Sequence, residues 1–282
     1  MKFIKRQLRK IVYAVPGTQA LWIELNKKFG REGKPDFSGW GMVTRTFPPW
    51  RDGGGDTLTR EFLQSNQSLI AKVKSGEFRL SQFESAQNKK RVLTELMWRH
   101  YVVFWSASYA AAASQSSIVT MAECGVCDGL TAYFAICAVA GNNDFRAFLY
   151  DAWEGMKSEY LLESEQRATG AYSFLSLEQT KRNLDRFAGN TVFNKGFIPD
   201  SFVRSENPLE LNWLHIDLNS AIPTLAALEL FFMRIRPGGI ILFDDYGWHG
   251  FQDTKTVVDK FFEGKSGFLL PFPTGQAIYF KQ

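Results

Sequence analysis

Cysteine is scarce in this chain, and no part of it stays apolar for long. Three cysteines among 282 residues, with no secretory context, argue against a disulfide framework and for a reducing compartment, so a cytoplasmic location is expected. No stretch reaches the roughly 18 apolar residues that a membrane span needs. The apolar run from Ile11 to Val15 is cut off by Pro16 and Gly17, which is too short for a signal peptide. A large excess of one charge is also missing: 33 Lys and Arg against 29 Asp and Glu give +4, and no nucleic-acid partner is expected. The triple glycine at 53 to 55 lacks a following Gly-Lys-Ser/Thr, so it is not a phosphate loop. With 45% hydrophobic, 15% aromatic and 22% charged residues, the composition is that of a soluble globular protein and excludes general disorder.

Charge is concentrated at the start. MKFIKRQLRK carries Lys2, Lys5, Arg6, Arg9 and Lys10 with Ile4, Leu8 and Ile11 at helical spacing behind them. Two readings stand: a weak peripheral contact with an anionic membrane or a partner, or a solvated first helix docked on the core. Residues 1 to 117 read as a mainly helical extension, interrupted by a Gly-, Pro- and Trp-containing loop over 37 to 57. Helical spacing covers 58 to 74 and 82 to 114, where Leu93, Leu96, Met97, Tyr101, Phe104 and Trp105 form a stripe assigned to the core.

From residue 118 to 282 short apolar runs alternate with helical segments, which predicts βαβ units and an α/β, doubly wound, mostly parallel sheet. The expected strands are IVTMAEC (118 to 124), RAFLYD (146 to 151), TVFNKG (191 to 196), LNWLHID (211 to 217) and IILFDD (240 to 245). FLLPFPTGQAIYFK adds two strands around a Pro-Thr-Gly turn, giving an antiparallel edge. Helices are expected over 130 to 140, near 176 to 188, from Pro223 to Ile235 and near 253 to 263.

Open parallel sheets bind ligands at the carboxyl ends of their strands, where strand order reverses. The first strand ends in Glu123-Cys124-Gly125-Val126-Cys127-Asp128-Gly129, whose glycines let a loop pass beneath a ligand at the start of a helix. The second ends in Asp151, placed to accept hydrogen bonds from ribose hydroxyls. The fourth and fifth bring Asp217 towards Asp244 and Asp245, and three such carboxylates call for a bound cation, a retained proton or divergence. All-oxygen ligands would favour Mg²⁺. A redox Cys-x-x-Cys is disfavoured because Cys124 closes a strand instead of opening a helix, and zinc lacks a second ligand pair.

Taken together, these segments resemble the class I S-adenosylmethionine-dependent methyltransferases, and more narrowly the macrocin O-methyltransferase-like group. The resemblance rests on Glu123 to Gly129, Asp151-Ala-Trp153-Glu-Gly155, Lys195-Gly196-Phe197-Ile-Pro-Asp200, Pro237-Gly-Gly239 and Asp244-Asp245-Tyr246, within 118 to 282. It implies a seven-stranded Rossmann-like sheet with an antiparallel last strand, and S-adenosylmethionine held by Glu123, Gly125, Asp128, Gly129, Asp151, Trp153, Gly196 and Phe197. It also implies Mg²⁺ on Asp217, Asp244 and Asp245, with Asp217 as a catalytic residue and the N-terminal extension as lid and acceptor region. His249, four residues beyond Asp245 in a Gly247-Trp248-His249-Gly250 loop, is the candidate catalytic base by its location. The acceptor would be a small hydroxylated molecule, a sugar or a secondary metabolite; a homo-oligomer is compatible with the sequence. One segment departs from the family pattern: His215-Ile-Asp217-Leu-Asn219-Ser-Ala221-Ile222 keeps the first acid but has Asn, Ala and Ile where an acid, Tyr and Glu are usual. Two other readings are kept, a nicotinamide-dependent oxidoreductase and a non-catalytic cofactor-binding or scaffold domain. The first lacks Gly-x-Gly-x-x-Gly after strand one; the second draws on the altered 219 to 222 segment.

Overall fold

A computed structural model describes residues 57 to 282 apart from positions 84, 142 and 273. The basic start and the triple glycine lie outside the described residues, as does nearly all of the loop expected over 37 to 57.

Helix α1 (Thr57–Ser75) is followed by α2 (Ala86–Lys90), a π-type turn (Arg91–Glu95) and α3 (Met97–Ala113). The helical pattern from 82 to 114 is therefore broken twice. Strand β1 (Ile118–Cys124) leads to α4 (Leu130–Ala140), β2 (Asp144–Asp151), α5 (Leu177–Asn183), β3 (Thr191–Lys195) and a short α6 (Asp200–Arg204). Then come β4 (Leu211–Ile216), α7 (Ala221–Phe231), β5 (Ile235–Phe243), α8 (Gln252–Phe262), β6 (Gly267–Pro271) and β7 (Ala277–Lys281). The seven strands form one sheet in the order β3-β2-β1-β4-β5-β7-β6, with β7 antiparallel to both its neighbours.

The expected strand β5 differs at both ends. It begins at Ile235, so the Arg-Pro-Gly-Gly segment lies within the strand, and it stops at Phe243, leaving Asp244 and Asp245 just beyond it. The early start is taken up by a register shift against β4 between Leu211 and Trp213. Gly239 sits there because a Cβ would come within 3.0 Å of backbone oxygens of Arg236 and Asn212.

Every residue of β4 is buried, as expected for a central strand covered on both faces. Alternate residues feed two cores. Val119, Met121, Trp213, Ile240 and Leu242 pack with Phe62, Phe104 and Phe134 from α1, α3 and α4. On the other face Ala122, Leu214, Ile216, Ile241 and Phe243 meet Leu228 and Phe231 of α7 and Val258 of α8. Helices α1 and α3 thus share a core with the sheet, which fixes their side chains relative to the strand ends.

Candidate active site

The sheet order reverses between β1 and β4, and the chain separates there. Gly125, at φ +92°, allows the closest approach: a Cβ would lie 1.8 Å from the carbonyl oxygen of Asp217. Only glycine fits both constraints. A cavity of about 340 Å³ opens at this point, lined by the ends of β1, β2, β4 and β5 and by the segment leading into α3.

One half of the cavity is the loop from Gly125 to Thr131. Gly129, in the left-handed region, caps α4 without a side-chain hydrogen bond, so the positive end of that helix is left for a ligand. Asp151 lines the same half. Its Oδ2 accepts from the Cys127 amide at 2.8 Å and its Oδ1 from the Trp153 amide at 2.7 Å, and burial raises its pKa. Each oxygen keeps a lone pair for a further donor. Gly196 donates its amide to the Asp151 carbonyl at 2.9 Å, which brings Phe197 to the wall. The Phe197 ring stacks on Tyr160 with centroids 4.9 Å apart, and Lys157 Nζ lies 4.4 Å from its centre.

Of the other expected cofactor residues, Glu123 and Trp153 stand away from the cavity, and Asp128 lines it with its carboxylate engaged. Glu123 does not line the cavity; it is 1% exposed, accepts from Thr131 Oγ1, and sits 2.8 Å from Nδ1 of its cross-strand neighbour His215. Strand alternation turns it into the core below the loop. The Asp128 carboxylate reaches the wall but accepts from the Ser81 amide at 2.6 Å, pinning the segment before α2 over the site. Trp153 is 4% exposed and faces inward, its Nε1 donating to the Cys127 carbonyl and Thr180 Oγ1 at 3.1 and 2.9 Å. Asp128 and Trp153 thus build the loop from behind. Burial first, then Glu123 and Asp151, push the Cys124 thiol well up, and Cys127 is raised similarly by burial and by Asp128. Both shifts favour the thiol over the reactive thiolate.

The other half is acidic. Asp217 and Asp244 converge as the strand order required, and with His215 they present donor atoms within 4.8 Å of one another. The sequence reading missed what lies between them. Arg99, from α3, donates Nε to Asp244 Oδ1 at 2.8 Å and Nη2 to Asp244 Oδ2 at 2.6 Å, and the same Nη2 reaches Asp217 Oδ2 at 3.0 Å. Gln276 Nε2 adds a bond to Asp244 Oδ1 at 3.0 Å. Asn219, at φ +55°, donates its amide to Asp245 Oδ2 at 2.9 Å and its Nδ2 to Asp217 Oδ1 at 3.4 Å. Tyr172 Oη donates to Asn219 Oδ1 at 3.2 Å on the same wall.

The electrostatics follow from this arrangement. Burial works to raise the Asp244 pKa, but the Arg99 charge and its bonds hold it below the usual carboxylate range. Asp217 is pushed well up by burial and by Asp244 and Asp245, and Asp245 is pushed up by burial and Asp244 to about 7. Asp217 and Asp245 are therefore the carboxyls of this cluster that hold a proton more readily than a free carboxylate does. Arg99 stays charged: burial would lower its pKa, but the charges of Asp244 and Asp217 outweigh that.

A resident Mg²⁺ does not fit this arrangement. Such an ion needs near-octahedral oxygen ligands, whereas the facing oxygens of Asp217 and Asp244 already accept from N–H donors and a guanidinium occupies the space between them. His249 is exposed and does not line the cavity; its neighbours Trp248 and Phe251 do. The signal for Arg99 was present in the sequence: it is the one Lys, Arg, Asp or Glu in α3, MWRHYVVFWSASYAAAA, and a lone charge in so apolar a helix needs a buried partner.

Residues 122 to 246 match the family model for a methyltransferase domain. The strand order with its antiparallel β7 makes the fold the Rossmann-like methyltransferase fold. Two solved structures share it. The O-methyltransferase NovP, 16% identical, aligns with a TM-score of 0.56 over 66% of this chain and 80% of its own. CalS11, a calicheamicin methyltransferase, is 17% identical and aligns with a TM-score of 0.54 over 83% of this chain and 97% of its own. No curated protein matches by sequence. The oxidoreductase reading is set aside, since the loop it depended on falls within the methyltransferase match.

Proposed function

We propose that this protein transfers a methyl group from S-adenosylmethionine to a hydroxyl of a small molecule, a sugar or a metabolite carrying one. The observation that carries the reading is the division of one cavity into two halves: a glycine-built loop with Asp151 and Phe197, and an acidic wall of Asp217, Asp244 and Asp245. The names of the two aligned structures, an O-methyltransferase and a calicheamicin methyltransferase, support the same chemistry. The motifs from Glu123 to Gly129 and around Asp244 favour the macrocin O-methyltransferase-like group within that class.

The cradle fits the cofactor. Gly125 lets the loop pass directly against the Asp217 backbone on the cavity wall, Asp151 has lone pairs for the ribose hydroxyls, and the uncapped start of α4 suits the carboxylate of the methionine end. When bound, S-adenosylmethionine supplies an electrophilic methyl group on a sulfonium. The chain's own residues then orient the acceptor and take its proton. Asp217 and Asp245 line the cavity and both have raised affinity for a proton, so one of them is the base for the acceptor hydroxyl. Tyr172 and Asn219 supply polar contacts beside it, and Trp248 and Phe251 an apolar wall that excludes water.

No described helix is long and apolar enough to cross a membrane, and a cytoplasmic location is part of the reading on the strength of the free cysteines. The test is titration with S-adenosylhomocysteine, with NAD⁺ as control, followed by transfer of labelled methyl to a panel of hydroxylated sugars. S-adenosylhomocysteine binding without NAD⁺ binding is expected. Preference for NAD⁺, or no binding of either, would sink the proposal.

A further inference from the structure

We infer that Arg99 is the resident cation of the acidic wall, and that methyl transfer in this protein needs no divalent metal. The second half of that statement rests on the function proposed above; the first rests on geometry alone.

Asp244 and Asp245 are buried and Asp217 is half-buried beside them at one end of two adjacent strands, and carboxylates withdrawn from water need a compensating charge. The compensation is already built in. Arg99 makes a bidentate contact with Asp244 and a third bond to Asp217, the geometry that suits a planar guanidinium and no metal ion. It is also held in place. Its neighbours Trp98 and His100 are buried, His100 stacks on Phe134 with centroids 4.9 Å apart, and α3 packs against the sheet and α4. For a metal to enter, the guanidinium would have to leave a helix position locked on either side.

Two further observations point the same way. Asn219 turns two N–H donors toward Asp245 and Asp217, occupying oxygens that a metal would need. Gln276 does the same for Asp244. Arg99 itself lines the cavity, and its Nη1 has no partner among the described residues. That group is the donor available to an acceptor oxygen as its proton leaves for Asp217 or Asp245. A guanidinium cannot give up its own proton, so it supplies charge and orientation while the carboxylate does the proton transfer.

The test uses the full chain and Mn²⁺ as the probe, read by electron paramagnetic resonance of the free ion, with S-adenosylhomocysteine titrations run alongside. Wild-type protein is expected to show no saturable Mn²⁺ binding below millimolar concentrations and to bind S-adenosylhomocysteine equally with and without EDTA. Arg99→Gln is expected to bind Mn²⁺ at least about tenfold more tightly than wild type, because removing the guanidinium leaves buried carboxylates uncompensated. Micromolar Mn²⁺ binding by the wild type overturns the inference, and this arm decides the matter even if Arg99→Gln fails to fold. Unchanged Mn²⁺ affinity in a folded Arg99→Gln also overturns it. Loss of S-adenosylhomocysteine binding in the wild type would instead strike the methyl-transfer proposal and leave the Mn²⁺ result standing.

Discussion

Replacing Gly125 by alanine tests the crossing of β1 and β4 on which the cavity depends. The new Cβ would stand 1.8 Å from the Asp217 carbonyl oxygen and 2.6 Å from its carbon, at a backbone φ of +92°. Relief by side-chain movement is not available, since both neighbours are backbone. Nor can the backbone drift freely: the Gly125 amide donates to the Tyr150 carbonyl at 2.8 Å and the Asp217 amide to the Cys124 carbonyl at 2.9 Å. The left-handed conformation costs alanine about 1–2 kcal/mol. Breaking one or both of those buried bonds adds about 1–3 kcal/mol, for a total near 3 kcal/mol. For a chain of this size that lowers the melting temperature by about 6–12 °C. Gly141 is the control: it ends α4 at φ −75° with nothing within 4 Å of an added Cβ, so Gly141→Ala should be neutral or stabilising. Differential scanning calorimetry reads the stability and a titration with S-adenosylhomocysteine reads the site. A Gly125→Ala protein that melts within about 1 °C of wild type and binds as tightly would refute the reasoning, because strain of this kind cannot be absorbed silently.

Four other changes follow from the same geometry. Asp151→Ala should weaken S-adenosylhomocysteine by at least about tenfold, since it removes the acceptor for the ribose and unties the Cys127 and Trp153 amides; an unchanged affinity would take Asp151 out of the site. Trp153→Phe should cost about 1–3 kcal/mol in urea unfolding, because the Nε1 bonds to Cys127 and Thr180 are lost in a buried setting. Asp245 has its folded pKa raised to about 7, so the folded state holds a proton that the unfolded chain releases, and its contribution to stability is lost as pH rises from about 4 to about 7. Melting curves of Asp245→Asn should therefore gain on wild type across that window; a constant difference would contradict the raised pKa. His249→Ala should leave S-adenosylhomocysteine affinity unchanged and turnover within about twofold, the size of change expected for a loop side chain outside the cavity, and a loss of orders of magnitude would restore His249 as the base.

Strand runs and turn residues made the sheet readable, because parallel strands buried on both faces carry unbroken apolar runs such as Leu211–Ile216. Strand-end logic also brought Asp217 and Asp244 together correctly across 27 positions. What strand-end logic could not supply was the direction of each side chain. Glu123 stands one residue before the end of β1 and Asp151 at the end of β2, yet strand alternation turns Glu123 into the core against His215, while Asp151 stays at the mouth. Trp153 looked like a residue packed on the cofactor, but its indole N–H needs a buried acceptor and finds Cys127 O and Thr180. His249 was selected for its distance from Asp245 along the chain, and the turn at Gly247 and Gly250 carries it outward.

Asn219 and the arginine in α3 act on one charge balance. A site that holds a divalent cation gains from every added acid, because each supplies ligand oxygen and negative charge. A site whose cation is a guanidinium gains nothing from a further acid, which would have to be buried without a partner. Asn219 is the residue that fits the second case: it offers N–H donors to Asp217 and Asp245, where an acid would add charge. With Arg99 carrying one positive charge and the raised pKa values of Asp217 and Asp245 favouring one retained proton on that pair, the three carboxylates are left with about one uncompensated negative charge, available to accept the proton of a hydroxyl. Restoring the acid alone, as Asn219→Asp, should therefore destabilise the protein while Arg99 is present. Combined with Arg99→Gln, the same substitution should be tolerated better and should strengthen Mn²⁺ binding, so the double variant should melt above the sum of the two single losses. Simple additivity would mean that the two positions are independent and that Asn219 does not answer to the Arg99 charge.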